Sequence, residues 1–268
     1  MGICRLPTIH PTAIVDPAAQ LADDVQIGPG CIIEGPAVIG AATRLIAQVY
    51  IKGAVHLGER NVLYPNVCVG FEPQHRAHLD PRNKVAVRIG DDNLLREGVT
   101  IHDNTGNQVT TLGSRNFLMS NSHIGHDSVI GDDCTLANGA LIAGHVQVAD
   151  RVTIGGNGGV HQFCRVGRLA MIGGIVALTQ DVPPFCVCHT HRTVGALNIV
   201  GLRRAGLRAH IAPLKRAFDI IYRESRSNPS AVAAIKDQLA GDPLCIEMAQ
   251  FIEQTTRGIA PYYRSQDA

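Results

Sequence analysis

The chain has 268 residues, enough to bury a full core in one or two domains. Its formal net charge of +1 excludes a general electrostatic attraction to nucleic acid, and 45% hydrophobic with 18% charged residues is ordinary for a globular protein. No apolar run approaches the roughly 20 residues that a membrane span needs.

The N-terminal stretch and the cysteines both favour a reducing compartment. The first residues, MGICRLPTIHPTAIV, lack the charged and then apolar pattern of a secretion signal. The 8 cysteines are scattered and form no CxxC pair, which favours buried thiols over a disulfide framework. We therefore expect a cytoplasmic protein.

From Ile9 onward, an aliphatic residue recurs at every sixth position. The first run ends at Val69, a second passes through Ile89, Leu95 and Ile101, and a third extends from Leu112 to Leu178. A period of six fits neither an α-helix nor a simple strand. It fits a parallel β-helix in which three hexads close one triangular coil of 18 residues, with Gly, Ala and Asp at the tight corners. A sandwich with coincidental spacing does not easily produce this register.

Two polar, turn-rich segments interrupt the register, at residues 70–88 and 102–111, and we expect both to loop out from corners. The period stops after QDVPPF at 180–185. From about residue 208, apolar spacings of three and four predict three helices, in LRAHIAPLKRAFDIIYRES, PSAVAAIKDQLA and PLCIEMAQFIEQTTRG. The sequence thus predicts a β-helix over residues 1–190 and a helical domain over 191–268.

Histidines gather at one corner of the predicted coil. Subtracting whole coils of 18 places His145 and His161 within one residue of His126, and His102 joins them if the 102–111 loop adds five residues. A single histidine there would be a solvated corner residue, but four at one corner indicate a site. A neutral imidazole is a natural general base for a hydroxyl nucleophile.

Two neighbours of these histidines suit the same chemistry. Asp127 could orient the ring of His126, although adjacent side chains can also point apart. Gly144 offers an unobstructed backbone N–H, which an oxyanion needs.

The motifs SHIGHD, LIAGHV, VHQFC, QDVPPF and LNIVGLRR resemble those of the acyl-[acyl-carrier-protein]:UDP-N-acetylglucosamine O-acyltransferases, hexapeptide-repeat enzymes of lipid A biosynthesis. The resemblance covers nearly the whole chain. It implies a left-handed parallel β-helix with a helical C-terminal domain, assembled as a homotrimer. It also implies transfer of a 3-hydroxyacyl chain from acyl carrier protein to the 3-position of UDP-N-acetylglucosamine. The donor would be the phosphopantetheine-linked acyl group, with no metal or further cofactor.

The resemblance assigns roles to individual residues. His126 would be the general base, Asp127 would orient it, and Gly144 would supply the oxyanion amide. The implied substrate-binding residues are Gln74, His75, His123, His145, His161, Gln162, Asn198 and Arg204.

Three positions depart from the family pattern. His75 stands where Asp is usual, and Val200 stands where Glu is usual. The Arg pair that usually ends the motif is shifted here to Arg203 and Arg204, and Ala205 follows it. All three lie on the acceptor side, so a different nucleotide sugar, such as a 3-amino sugar, stays open as an alternative acceptor.

A basic stretch is a candidate docking surface for the donor. No Asp or Glu occurs from Val182 to Phe218. The basic residues proposed to dock the carrier are Arg192, Arg203, Arg208, Lys215 and Arg216. Acyl carrier proteins are acidic, which makes the charges complementary. The alternative interpretation is a solvated basic face.

Three other functions share parts of this pattern. A γ-class carbonic anhydrase would need a third zinc ligand at the position of Val166, which cannot bind zinc. A CoA-dependent acetyltransferase shares the fold and the histidine base. A scaffold that has lost its acceptor would not need His126. Neither a Walker-type loop nor a GxGxxG after a strand is present.

Overall fold

The computed structural model describes residues 6–76, 85–106, 108–190, 192–224 and 226–263. These residues form short strands followed by helices. In chain order the strands are β1 (Thr8–Ile9), β2 (Ile14–Val15), β3 (Gln20–Leu21), β4 (Gln26–Ile27), β5 (Ile32–Glu34), β6 (Val38–Ile39), β7 (Arg44–Leu45), β8 (Tyr50–Lys52), β9 (Ala54–Leu57), β10 (Val62–Leu63), β11 (Cys68–Phe71), β12 (Val85–Ile89), β13 (Leu94–Leu95), β14 (Thr100–His102), β15 (Thr110–Leu112), β16 (Phe117–Leu118), β17 (His123–Ile124), β18 (Val129–Ile130), β19 (Thr135–Leu136), β20 (Leu141–Ile142), β21 (Gln147–Val148), β22 (Thr153–Ile154), β23 (Gly159–Val160), β24 (Arg165–Val166), β25 (Met171–Ile172), β26 (Ala177–Leu178), β27 (Cys186–Thr190) and β28 (Thr193–Leu197). The helices are α1 (Ile199–Arg204), a 3₁₀ turn (Arg208–His210), α2 (Ile211–Tyr222), α3 (Asn228–Gln238) and α4 (Pro243–Glu253).

The strands stack into three parallel sheets that form the sides of a prism. Sheet 1 runs from β1 through β4 and every third strand to β25, sheet 2 from β2 to β26, and sheet 3 from β3 to β24. Most pairs join residues 18 apart, such as Leu136 with Ile154. The chain makes about 9 coils, which confirms the predicted β-helix.

The interior of the prism is a column of aliphatic side chains. From Ile27 to Leu178, every aliphatic at the sixth-residue spacing is at most 2% exposed. Ile9, in the first coil of the described residues, is 45% exposed. Each buried aliphatic contributes about 1.5–3 kcal/mol, so the repeat supplies most of the core of the prism.

Corner residues in the left-handed region align the coils. Asp127, His145 and Phe163 are equivalent residues of successive coils, with φ of 57°, 59° and 64°. The His145 N–H donates to the His126 carbonyl at 2.9 Å, and the Phe163 N–H to the Gly144 carbonyl at 3.3 Å. These bonds between coils stabilise a conformation that costs L-residues roughly 1–2 kcal/mol.

The two predicted excursions leave the register of the core unchanged. Ile101 pairs with Ile124, 23 residues later, so the 102–111 loop adds the expected five residues (23 − 18 = 5). Val69 pairs with Ile101, 32 residues later, across the 70–88 segment. Residues 85–88 of that segment lie in strand β12 of sheet 3 and not in a loop as predicted. Residues 77–84 of that segment lie outside the described residues.

The end of the prism differs from the prediction. Residues 193–197, expected to belong to the helical domain, form β28, which pairs antiparallel with β27. Burial explains the strand, since Val194 is 0% and Leu197 8% exposed. The short helix α1 follows and was also not predicted, whereas α2, α3 and α4 lie in the three predicted helical segments. No helix in the described part of the chain is long and apolar enough to cross a membrane.

The seven cysteines that the structure describes are unpaired, and all except Cys68 are buried. They pack as small apolar side chains, as the sequence predicted.

Candidate active site

His126 and Asp127 lie at the corner between sheets 2 and 3, just after β17. We call this region, residues 125–128, 143–146 and 161–164, the histidine corner. His126 Nδ1 lies 2.8 Å from Asp127 Oδ2, so the two side chains turn toward each other. The positive φ of Asp127 permits this approach between adjacent residues. Because the carboxylate binds Nδ1, the lone pair on Nε2 is available to accept a proton.

The 102–111 loop holds the Asp127 carboxylate in place. Thr105 donates its hydroxyl to Oδ2 at 2.7 Å and its N–H at 3.1 Å, and the Gln108 N–H donates to Oδ1 at 3.1 Å. The Asp127 N–H donates to Thr110 Oγ1 at 2.8 Å. Burial raises the pKa of Asp127, but the hydrogen bonds from His126, Thr105 and Gln108 outweigh burial and lower the pKa overall. Asp127 therefore stays ionised and fixes the imidazole.

Gly144 lies directly against the ring of His126. A Cβ on Gly144 would come within 2.5 Å of both Cε1 and Nε2 of that ring. Only a glycine therefore leaves the imidazole in its present place. Among the described residues, no acceptor is within hydrogen-bond range of the Gly144 N–H. The base and an unused backbone donor thus lie side by side, as acyl transfer requires.

His145, Phe163 and His75 surround the pair. The His145 ring is stacked on Phe163, with centroids 4.7 Å apart and planes 9° apart, and it meets His126 edge-on at 5.0 Å. Burial is the main reason that the pKa of His145 is lowered. His75 also meets His126 edge-on, at 5.9 Å, and is exposed. The structure thus brings His75, His126 and His145 together.

His123 forms a second group with His102, beside the histidine corner on sheet 2. The two rings lie 4.9 Å apart, and His123 Nδ1 lies 2.8 Å from Thr100 Oγ1. Burial, followed by the charges of His102 and His126, lowers the pKa of His123 to about 4. Burial also lowers the pKa of His102, so both histidines are neutral at pH 7.

The residues predicted to hold the nucleotide sugar lie elsewhere on the chain. Asn198 and Arg204 line a cavity of about 800 Å³ between α1 and sheet 1, together with Val200 and Ala205. Asn198 also caps α1, since its Oδ1 accepts from the Gly201 N–H and its Nδ2 donates to the Leu169 carbonyl, both at 2.8 Å. Its amide therefore has a structural role that the sequence prediction missed.

His161, Gln162 and Gln74 are exposed. His161 Nδ1 lies 3.2 Å from the Gln162 carbonyl oxygen, and among the described residues neither the His161 nor the Gln162 side chain forms a hydrogen bond with His126. The two residues belong to the histidine corner, but in one chain they do not close over the base.

The basic residues of the 182–218 stretch are exposed, with different partners. Arg216 pairs with Glu224 and donates to Gln238 at 3.1 Å. Arg192, Arg203, Arg208 and Lys215 are also exposed, and no carboxylate among the described residues lies within 4.0 Å of them.

A metal ion could be considered at the same corner. His126, Asp127 and His145 offer ligand atoms within 4.8 Å of one another. However, His126 Nδ1 and the carboxylate already bind each other, which is the arrangement of an oriented base.

The sequence prediction missed the residues that support Asp127 and His145. Thr105, Gln108 and Thr110 belong to the polar 102–111 loop. The five residues that this loop adds to its coil were the sequence signal that the loop packs one coil below Asp127. Phe163 stands next to the VHQ part of VHQFC, and its equivalence to His145 follows from the 18-residue coil.

Comparisons with known proteins agree with this geometry. Residues 181–260 match the family described as UDP N-acetylglucosamine O-acyltransferase, domain 2, and residues 110–144 match the bacterial transferase hexapeptide family. The acyl-[acyl-carrier-protein]–UDP-N-acetylglucosamine O-acyltransferase of Stutzerimonas stutzeri is 39% identical over 94% of this chain and 98% of its own length. The enzyme of that name from Campylobacter concisus is 33% identical over 98% of this chain and 100% of its own length.

Solved structures give the same result. LpxA from Acinetobacter baumannii superimposes with a TM-score of 0.90 at 37% identity, covering 94% of this chain and 99% of that one. The UDP-N-acetylglucosamine acyltransferase of Arabidopsis has a TM-score of 0.82 at 28% identity, covering 94% and 99%. With these near-complete matches, this chain belongs to the family of acyl-[acyl-carrier-protein]–UDP-N-acetylglucosamine O-acyltransferases.

Proposed function

We propose that this protein transfers an acyl chain, 3-hydroxylated as the resemblance implies, from acyl carrier protein to the 3-hydroxyl of UDP-N-acetylglucosamine, an early step of lipid A synthesis in the cytoplasm. The observation that carries the proposal is the His126–Asp127 pair lying against Gly144, in a chain of this family.

The geometry supports the following sequence of proton and bond changes. His126 Nε2 removes the proton from the sugar hydroxyl while its oxygen attacks the thioester carbonyl. The Gly144 N–H stabilises the oxyanion. When the intermediate collapses, the carbon–sulfur bond breaks and the imidazolium returns its proton to the thiolate of the leaving phosphopantetheine. Asp127 keeps the ring oriented through its contact with Nδ1.

Replacement of the base tests this mechanism. His126→Ala should lower kcat by about 100-fold or more, as loss of a general base does, with product formation followed by mass spectrometry. His56→Ala is the matched control, because His56 is an exposed residue on sheet 3 far below the histidine corner. A His126→Ala enzyme with nearly normal turnover would remove His126 from this role.

We also propose that the complete site forms between chains of a homotrimer. In one chain, His126 lies at the corner of sheets 2 and 3, while the cavity lined by Arg204 lies against sheet 1. A closed threefold assembly would bring the corner of one chain against the cavity of the next.

Mixed oligomers test the shared site. Inactive His126→Ala chains and inactive Arg204→Ala chains, refolded together, should regain activity because some interfaces then contain both intact residues. Continued inactivity of a mixture that forms trimers by sedimentation would place both residues in one chain's site.

Two residues on the acceptor side, one at each part of the site, differ from the family pattern. Val200 is 56% exposed and offers no carboxylate to a ribose, and His75 takes the usual place of an acid near the base. A site that lacks such groups selects less strongly for a hydroxyl. We therefore expect UDP-N-acetylglucosamine as the acceptor, held more weakly than by relatives that have both acids.

For the donor, we propose that acyl carrier protein docks on the exposed basic residues between Arg192 and Arg216. Arg208 and Lys215 are the stronger candidates, since Arg216 already pairs with Glu224.

A further inference from the structure

The cavity between α1 and sheet 1 carries an arginine on each of its two walls. On the helical wall, α1 contains both Arg203 and Arg204, but only Arg204 lines the cavity. On the prism wall, Arg151 lines the cavity from the corner just before β22. Ala205, at the position to which the arginine pair of the family usually extends, also lines the cavity and brings no charge. The second guanidinium of this cavity therefore comes from the prism and not from α1.

The backbone of Arg151 is fixed, whereas its guanidinium has no acidic partner. Arg151 is a corner residue with a φ of 59°, and its N–H donates to the Asp132 carbonyl at 2.8 Å. The side chain is exposed, and within the described part of the chain no carboxylate lies within 4.0 Å of it. The equivalent residue two coils below, Arg115, instead pairs with Asp132 and Asp133. An arginine that presents its planar fork to a cavity without an acidic partner is a binding group for an anion.

An acid in the same lining, Asp133, does not cancel the charge of Arg151. The Asp133 carboxylate accepts hydrogen bonds from Nε and Nη2 of Arg115, at 2.8 and 2.9 Å. These bonds are the main reason that the pKa of Asp133 is lowered, so Asp133 is ionised and already paired. Arg204 also has no carboxylate within 4.0 Å among the described residues. The cavity thus has two uncompensated positive charges, which match the two negative charges of a sugar nucleoside diphosphate.

We propose that Arg151 binds the diphosphate of the acceptor from the prism side, opposite Arg204, an inference that rests on the proposed function. The diphosphate then lies between the two guanidinium groups. Arg151 takes the place of a second arginine on the helical wall, where Ala205 has no charge to offer. The nucleoside carries no charge and does not need Arg151. Selection for a nucleoside diphosphate therefore depends on Arg151 as well as on Arg204.

The binding of UDP and uridine tests the proposal without turnover, by calorimetry for UDP and by ligand-observed NMR for the weaker uridine. Arg151→Met should weaken UDP binding by about tenfold or more, as loss of a charge-assisted hydrogen bond does, and should leave uridine binding unchanged. Arg151→Lys, which keeps the charge but not the planar fork, should retain part of the UDP affinity. Arg44→Met is the matched control, because Arg44 is an exposed arginine of β7 on sheet 1 that does not line this cavity.

A second variant separates direct contact from a structural role. Ala205→Arg places a guanidinium on the helical wall of the same cavity, so it should restore most of the UDP affinity in the Arg151→Met background. A charge on α1 would not repair a damaged corner of the prism. In acyl transfer, Arg151→Met should raise the KM for UDP-N-acetylglucosamine about tenfold, with nearly unchanged kcat and KM for acyl carrier protein.

Three results would overturn the proposal. A UDP affinity of Arg151→Met within about threefold of the wild type would show that Arg151 does not contact the diphosphate. An equal loss for UDP and uridine would assign Arg151 to the nucleoside, and a double variant with no recovery would assign it a structural role. Failure of the proposed function would look different, since the wild type would then transfer no acyl group to UDP-N-acetylglucosamine.

Discussion

The contact between Gly144 and His126 gives the sharpest test of the candidate site. In Gly144→Ala, the new Cβ would lie 2.5 Å from Cε1 and Nε2 of His126, whereas non-bonded carbon atoms rest about 3.5–4.0 Å apart. The ring must therefore retreat by about 1 Å or more. The Gly144 N–H is unchanged, so the substitution moves the base and leaves the oxyanion donor.

A displacement of about 1 Å at a reacting group costs on the order of 100-fold in rate. We therefore expect kcat to fall by about two powers of ten, equivalent to about 2.7 kcal/mol of transition-state free energy. The KM values should change little, because the substrates still meet the same polar groups. Steady-state kinetics with acyl carrier protein and UDP-N-acetylglucosamine measure both constants.

Gly156→Ala is the matched control. Its Cβ would have only one near neighbour, the Asn138 carbonyl oxygen at 3.4 Å, which is an ordinary contact. This variant should keep its turnover. The reasoning is refuted if Gly144→Ala retains a kcat within about threefold of the wild type, or if it unfolds so much more readily that the two variants cannot be compared at the assay temperature.

Two further predictions concern pH and docking. Because burial lowers the pKa of His123 to about 4, the unfolded chain takes up this proton first as the pH falls. The contribution of neutral His123 to the free energy of unfolding should therefore be complete above about pH 6.5 and decline as the pH falls toward 4. His123→Asn should flatten this part of a Tm–pH profile, and a profile that keeps its slope contradicts the prediction. Arg208→Glu should raise the KM for acyl carrier protein several-fold, most strongly at low salt, and leave that of acyl-phosphopantetheine unchanged. Arg216→Glu should have a smaller effect because Arg216 already pairs with Glu224. If Arg208→Glu raises the KM for acyl carrier protein and for acyl-phosphopantetheine equally, the carrier protein docks elsewhere.

The sequence predicts the prism well because the pattern that specifies the prism, an aliphatic residue at every sixth position, is local and repeats. One inward aliphatic per hexad suffices to place Ile124, Ile142 and Val160 in one buried column and to bring His126 and His145 to one corner. The five extra residues before Leu112 also follow from counting alone, and the pairing of Ile101 with Ile124 confirms them.

What the sequence could not predict depends on non-repeating contacts. The left-handed φ of Asp127 and the hydrogen bonds from Thr105 decide whether His126 and Asp127 face each other. Thr105 lies in a loop that lacks the six-residue period. The strand β28 was missed because residues 193–197 have no hexad spacing, and only their burial against β27 selects the extended form. The structural use of Asn198 as a cap was likewise invisible without α1.

The three-sided coil also limits how this protein can change length. A hexad inserted between Asp127 and Gly144 would turn every later residue onto the next face of the prism. The base would then lose both the glycine beside it and the edge-on contact with His145. An insertion of a whole coil would restore the face but move these partners one rung away. The outward loops change length without either effect, since Val69 still aligns with Ile101, and Ile101 with Ile124, across added segments of unequal size. Variation in length among proteins built on this site should therefore be confined to the outward loops and to the ends of the prism, and the coils between residues 112 and 178 should tolerate substitution far better than insertion.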